Sequence, residues 1–313
     1  MRLPGPTAHR AVPIVRWLAA REATRRVLNG LYQPRSWDQK ERVHARFAKI
    51  FRDYQGPFAP GVWEVEFAGR TVRVPLSKAR AWLTWDLALS IAGHEPEIKQ
   101  TYETILRFRP HLVLDVGANY GTHSLLFLVH GVRTVSFEPN PNCHESIKEL
   151  CAANGVRPTL EPVAVGANEG TIELWFPERE EWLGTTDPAT RDRLQGETPL
   201  AKLIVPLVTL DGYVDAHGLT PDVIKIDTEG SDLQVLQGAE RTLDACRPLL
   251  LFECWPKQRG PMAGFLDDHR YSICALPLTP AQPRALSKSE FTTAAHANFA
   301  AIPRERLEKW MGA

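Results

Sequence analysis

The chemistry-bearing residues of this 313-residue chain are gathered where apolar runs end. Leu112-Val113-Leu114-Asp115-Val116 leads into Gly117-Ala118-Asn119-Tyr120-Gly121-Thr122 and then Ser124-Leu125-Leu126-Phe127, which reads as strand, tight loop and helix. A glycine at the strand's carboxyl end lets a ligand approach the backbone, and one at the helix start allows close packing, because neither carries a Cβ. Gly117 and Gly121 fit those positions. The spacing is D-x-G-x-x-x-G, whereas a dinucleotide pyrophosphate is normally held by G-x-G-x-x-G with its phosphates on the helix N-terminus. Asp115 would repel a pyrophosphate but attract an ammonium or sulfonium group in a partly desolvated pocket. The ligand that answers this description is S-adenosyl-L-methionine.

Two further runs carry acids to strand ends. Phe137-Glu138-Pro139-Asn140 lies some twenty residues past the glycine loop, where a carboxylate can accept both hydroxyls of a ribose. Glu138 is assigned that role against the plain alternative of an exposed strand-end carboxylate, and Asn140 serves equally as an ordinary N-cap. In Val223-Ile224-Lys225-Ile226-Asp227-Thr228-Glu229-Gly230, a lysine and an aspartate share one face of an otherwise apolar strand. They are costly to desolvate unless paired, so a structural ion pair stands beside a catalytic role for Lys225. Asp227, at the carboxyl end beside the switch point of the sheet, is expected near the methionyl part of the cofactor. Glu229 either complements a helix dipole or deprotonates a substrate hydroxyl, and Glu253, closing Leu249-Leu250-Leu251-Phe252-Glu253, competes with it. His123 is expected to cap or pack.

The three runs together resemble the FkbM family of class I methyltransferases, over roughly residues 94–303, with the Val223–Gly230 run the most telling. The resemblance implies S-adenosylmethionine as cofactor and places Asp115, Gly117, Asn119, Gly121 and Thr122 in its binding loop. It also draws in Glu97, from the Glu95-Pro96-Glu97 run ahead of the first motif, although acids there also suit a helix's first turn. Class I enzymes hold the adenine at the third strand, where Glu161-Pro162-Val163-Ala164-Val165-Gly166 makes Ala164 the candidate. No N-P-P-Y-like turn follows the fourth strand, and Asp227-Thr228-Glu229-Gly230 in its place favours oxygen as acceptor. The expected activity is O-methylation of a hydroxyl on a sugar, glycolipid precursor or secondary metabolite. An N- or C-methyltransferase, or a scaffold retaining the pocket without turnover, stands behind it, and a nicotinamide dehydrogenase is disfavoured by the missing third glycine.

These residues need a frame that brings strand ends together. Strand candidates at 112–116, 133–138, 159–165, 222–227, 248–253, 270–276 and 297–302 alternate with helical segments such as 141–153 and 231–245. The expected fold is α/β, a doubly wound, mostly parallel seven-stranded Rossmann-like sheet. Residues 170–208 interrupt it as an insertion, in which Trp182-Leu183-Gly184-Thr185-Thr186-Asp187 is either a polyol-binding loop or a plain surface loop. Residues 1–93 form an extension ahead of the catalytic domain at 94–313. It comprises a first helix from Pro13 to Gly30, a second from Trp37 to Tyr54, and a hairpin about Ala68-Gly69-Arg70, with Trp82 and Trp85 beyond it.

The apolar fraction of 43% suits a globular core, and a net charge of +0 gives no global pull toward nucleic acid. The five cysteines show no C-x-x-C pair, so neither zinc nor a disulfide framework is expected. Nothing in the spacing of Asp227, Glu229 and Glu253 demands a metal. No membrane span or signal peptide is evident, and a cytoplasmic protein is expected. Residues 1–54 nevertheless collect arginines against few acids, either as a solvated cap or as a peripheral membrane surface.

Overall fold

The first stretch of sequence to take shape is a two-helix and hairpin unit. The computed structural model describes residues 20–52, 61–76, 93–177, 183–279 and 283–311, with Ile14, Trp17, Leu18, Ala88 and Ile91. They fall into two compact units, Met1–Pro96 with Glu149–Val156, and Glu97–Lys148 with Arg157–Ala313. The first holds α1 (Glu22–Tyr32), α2 (Trp37–Arg52), β1 (Gly61–Phe67) and β2 (Arg70–Leu76). Trp63, Val65, Phe67, Val72, Val74 and Leu76 alternate inward along the hairpin. Its turn, Ala68-Gly69, has φ of 45° and 76°, the doubly positive conformation whose twist matches the flanking strands. The first helix does not stop at Gly30. It runs on to Tyr32 because Asn29 and Gln33 are tied to β1: Asn29 Oδ1 accepts from Trp63 Nε1 at 2.8 Å, and Gln33 Nε2 donates to the Glu66 carbonyl at 2.9 Å. Tyr54, Trp82, Trp85 and Trp182 lie outside the described residues.

From Pro96 onward the chain runs α3 (Pro96–Arg107), β3 (Leu112–Val116), α4 (Thr122–Leu128), β4 (Arg133–Phe137), α5 (Pro141–Ala153), β5 (Thr159–Glu161), β6 (Ala164–Val165) and β7 (Gly170–Pro177). It continues through α6 (Pro188–Gln195), β8 (Leu200–Val208), α7 (Leu210–His217), β9 (Val223–Ile226), α8 (Asp232–Gln237), α9 (Glu240–Cys246) and β10 (Leu249–Glu253). It closes with α10 (Arg259–Asp268), β11 (Tyr271–Ala275), α11 (Lys288–Thr293), β12 (Asn298–Pro303) and α12 (Arg304–Met311). A seven-stranded sheet has the order β11-β12-β10-β9-β3-β4-β5, all parallel except β12, which is antiparallel to both neighbours. This is a doubly wound, mostly parallel sheet with its switch point between β3 and β9, the place where such sheets bind ligands, beyond the carboxyl ends of those strands.

Two expected elements are divided. The run 159–165 splits at Pro162-Val163: β5 stays in the main sheet, while β6 joins β8 and β7 in a second, three-stranded sheet built from the insertion. Proline has no amide to continue the ladder, and Ala164 finds its own small core with Leu174, Phe176 and Val205. The helix expected over 231–245 breaks at Gly238-Ala239. A Cβ on Gly238 would lie 2.0 Å from the Gly166 carbonyl oxygen, and the Gly238 carbonyl accepts from Asp211 N at 2.8 Å, so this backbone is committed to its neighbours.

The register of the two central strands decides which side chains meet. Asp222 Oδ2 accepts from His111 N at 2.7 Å and Leu112 N at 3.1 Å, clamping the entry of β9 to that of β3. At the other end Asp227 N donates to the Val116 carbonyl at 3.0 Å, and between them Asp115 stands opposite Lys225. Replacing Asp222 by Ala removes a carboxylate acceptor from two amides and is expected to cost about 1.5–3 kcal/mol in chemical denaturation. Asp222→Asn, which keeps one acceptor oxygen, should lose less.

Candidate active site

The carboxyl ends of β4, β3 and β9 open onto a cleft with about 670 Å³ of empty space, whose walls include Gly117, Asn119, Glu138, Ala164, Asp227 and Glu229. Gly117 is required twice over: its φ is 77°, and a Cβ there would sit 1.8 Å from the Asp227 carbonyl oxygen. Only glycine lets the loop after β3 lie this close to β9. Gly121, with φ 79°, starts α4 and packs on Ile147 rather than facing the cleft, and Thr122 follows it into the helix.

Glu138 is the most constrained acid in the cleft. Its Oε2 accepts from Asn119 N at 2.7 Å and its Oε1 from Asn140 N at 2.8 Å, so the loops after β3 and β4 both point amides at one buried carboxylate. Each oxygen retains a lone pair for a further donor. Burial lifts the carboxyl to about 7, although both amides pull it down. Asn140 caps α5, its Oδ1 accepting from Asn142 N at 3.1 Å, and it also lines the cleft.

Lys225 is buried and reaches in two directions, with its Nζ 3.4 Å from Asp115 Oδ1 and 3.3 Å from Asp227 Oδ2. Asp115 is 1% exposed and accepts from Ser124 Oγ at 2.6 Å, which in turn lies 2.7 Å from Ser136 Oγ. The direct ligand contact expected of Asp115 is therefore replaced by an indirect one: it holds the lysine that holds Asp227. Asp227 keeps 37% of its side chain exposed and lines the cleft. Lys225 is buried between these two carboxylates and is absent from the residues that line the cleft.

Glu97 and Glu253 lie beside the cleft, outside its walls. Glu97 Oε1 accepts from Asn298 Nδ2 at 3.1 Å, and Glu253 Oε2 accepts from Trp255 Nε1 at 3.0 Å. Glu253 is raised to about 8 by burial and then by Asp227, Glu229 and Asp232. Asp232, which the sequence left unremarked, is 1% exposed beneath Thr228, whose Oγ1 donates to its Oδ2 at 2.9 Å. Burial and then Asp227 raise it to about 7. An acid one residue into a helix reads as a dipole partner, so no sequence signal separates it from a surface residue. His123 Nδ1 lies 2.8 Å from the Tyr102 hydroxyl, consistent with packing.

The insertion reaches the same place. Thr185 pairs with Trp175 through two backbone hydrogen bonds of 2.9 Å, and its Oγ1 donates to the Glu229 carbonyl at 2.9 Å. Thr186 Oγ1 lies 2.8 Å from Ser231 Oγ, and Asp187 caps α6 by accepting from Thr190 N at 2.7 Å. Gly184 and Thr186 line the cleft, so this segment forms one wall of the site and is not a plain surface loop. Among the described residues no cluster of three or more His, Cys, Asp or Glu is arranged to hold a metal ion.

Two outcomes are expected. Lys225→Met leaves Asp115 buried without its cation and should destabilise the fold by about 3–5 kcal/mol, with Asp115→Asn in the same chain restoring about 1–3 kcal/mol. The second concerns pH. Glu138, Asp232 and Glu253 hold protons in the folded chain that the unfolded chain releases near pH 4. Stability of the cofactor-free protein should therefore fall as pH rises from about 4 to about 8. In thermal melts Glu253→Gln should match wild type near pH 4 and exceed it near pH 8.

A family model described as Methyltransferase FkbM domain matches residues 115–273, just over half of the chain. Hexuronic acid methyltransferase AglP of Haloferax volcanii is 24% identical over 132 residues, which is 42% of this chain and 51% of that protein. The chain thus spans about half the length of the curated relative it matches. Among solved structures, the methyltransferase FkbM from Methylobacillus flagellatus KT is 17% identical with a TM-score of 0.40, covering 61% of this chain and 43% of its own. A SAM-dependent methyltransferase from Agrobacterium tumefaciens is 14% identical with a TM-score of 0.40, covering 80% and 72%. With the family match running from Asp115 at the cleft's base through β9 and β10 to β11, the chain belongs to the FkbM methyltransferase family.

Proposed function

We propose that the chain is an S-adenosylmethionine-dependent O-methyltransferase whose acceptor is a hydroxyl of a sugar, glycolipid precursor or related secondary metabolite. The observation that carries the cofactor is Glu138: a buried carboxylate pinned by two backbone amides on the cleft wall is an acceptor pair suited to a ribose diol. The rest of the donor set fits. Ala164, Val163 and Leu174 give apolar walls for a purine, and Asp227 offers a carboxylate for an ammonium group. A pyrophosphate would instead meet Glu138, Asp227 and Glu229, with the nearby Lys225 already committed to two aspartates.

Bound there, S-adenosylmethionine supplies an electrophilic methyl group on a sulfonium, with a neutral leaving group. The chain's part is to align the acceptor hydroxyl, exclude water and take up its proton. Glu229, on the cleft wall in the turn after β9, is the residue assigned to receive that proton. The sugar reading is supported by the curated relative, named for a hexuronic acid. It is also supported by Trp255, whose indole is 44% exposed past the end of β10 and fixed by Glu253, an aromatic face of the kind a sugar ring stacks on.

Calorimetric titration with S-adenosylmethionine should show Glu138→Ala weakening binding by about tenfold or more. Glu229→Gln should leave that binding in place while lowering kcat about 10²- to 10³-fold in labelled-methyl transfer to a panel of neutral and uronic sugars. Undiminished binding by Glu138→Ala would sink the ribose assignment.

A further inference from the structure

Helix α1 is inverted relative to an ordinary surface helix. Arg25 is buried, at 5% exposure, and Asn29 is turned to β1, whereas Val27 and Leu31 are each 62% exposed. Four residues apart, these two lie on one helix face. Arg26, on the helix, and Arg35, three residues past its last turn, are both exposed. Arg26 makes a solvent-exposed pairing with Glu22, which is worth little. Just ahead of the helix, Ile14 and Trp17 are 62% and 58% exposed, and the Arg21 guanidinium lies 3.5 Å over the Trp17 ring. Residues 1–54 hold twelve Lys and Arg against four Asp and Glu, in a chain whose net charge is +0.

Exposed apolar side chains on one helix face, with exposed arginines and a tryptophan close by in the chain, suit a helix lying in a lipid interface. We propose that this face of α1, together with Trp17, docks on an anionic lipid bilayer. Val27 and Leu31 enter the boundary between headgroups and acyl chains, and Arg21, Arg26 and Arg35 meet lipid phosphates. A second copy of the chain is a poorer occupant, since a two-fold pairing of this face would set arginines against arginines. A nucleic acid would satisfy the arginines and leave Val27 and Leu31 with nothing to bury them. The inference concerns the first unit alone and does not rest on the methyl-transfer reading.

The test is flotation of the full chain with vesicles of phosphatidylcholine alone and of phosphatidylcholine mixed equally with phosphatidylglycerol. The wild type should float with the mixed vesicles, stay behind with phosphatidylcholine alone, and be partly released by high salt. Val27→Ser with Leu31→Ser should keep the circular dichroism spectrum and melting temperature, and lose mixed-vesicle binding by about tenfold or more. Arg21→Gln with Arg35→Gln should weaken binding mainly at low salt. No flotation at low salt, equal flotation with both vesicles, or undiminished flotation by the serine variant would overturn the proposal. So would a wild-type dimer in light scattering that the serine variant dissolves, which would give the face to a second copy.

Discussion

A single ammonium group, Lys225 Nζ, is shared between Asp115 and Asp227 in the middle of the sheet, and the site is built around it. A lysine inside a parallel sheet is tolerable only if its charge is matched, and the matching acids must come from its own strand and the next one. That fixes β3 beside β9 in one register, because a slip would bury Lys225 against an apolar neighbour and leave Asp115 alone. It also fixes Asp227, whose carboxylate is drawn to the cleft wall by a cation at its back. Two acids against one base leave a net negative charge beneath the cleft, which suits a cationic ligand better than an anionic one.

The acids around this core are graded by burial. Glu138 and Asp232 rise to about 7 and Glu253 to about 8, chiefly because water is excluded from them and, for Asp232 and Glu253, because Asp227 stands near. The chain thus holds several carboxyls near the carboxyl end of the sheet that resist ionisation.

The insertion completes the enclosure. Its small sheet takes β6 away from the main sheet at Pro162, and the segment from Gly184 to Asp187 is strapped to the turn after β9 through Thr185 and Thr186. The cleft therefore has a floor from the parallel strands and a wall from an element outside the sheet. An open sheet edge alone would leave the site wet, and electrostatic discrimination would be weaker there.

The amino-acid sequence by itself determined the alternation of strands and helices, the glycine loop, and the acids at the ends of β4, β9 and β10, because hydrophobic period and glycine placement are local properties. It also left Lys225 poised between a structural pair and a catalytic role. Only the tertiary structure supplied its partner, by bringing in Asp115 from a strand more than a hundred residues away. Tertiary contacts likewise divided the run 159–165, broke the helix at Gly238 against Gly166, carried α1 past Gly30, and turned the 183–187 segment into a wall of the site. Each of these depends on what a residue meets across the fold, and meetings at long separation leave no mark on local spacing.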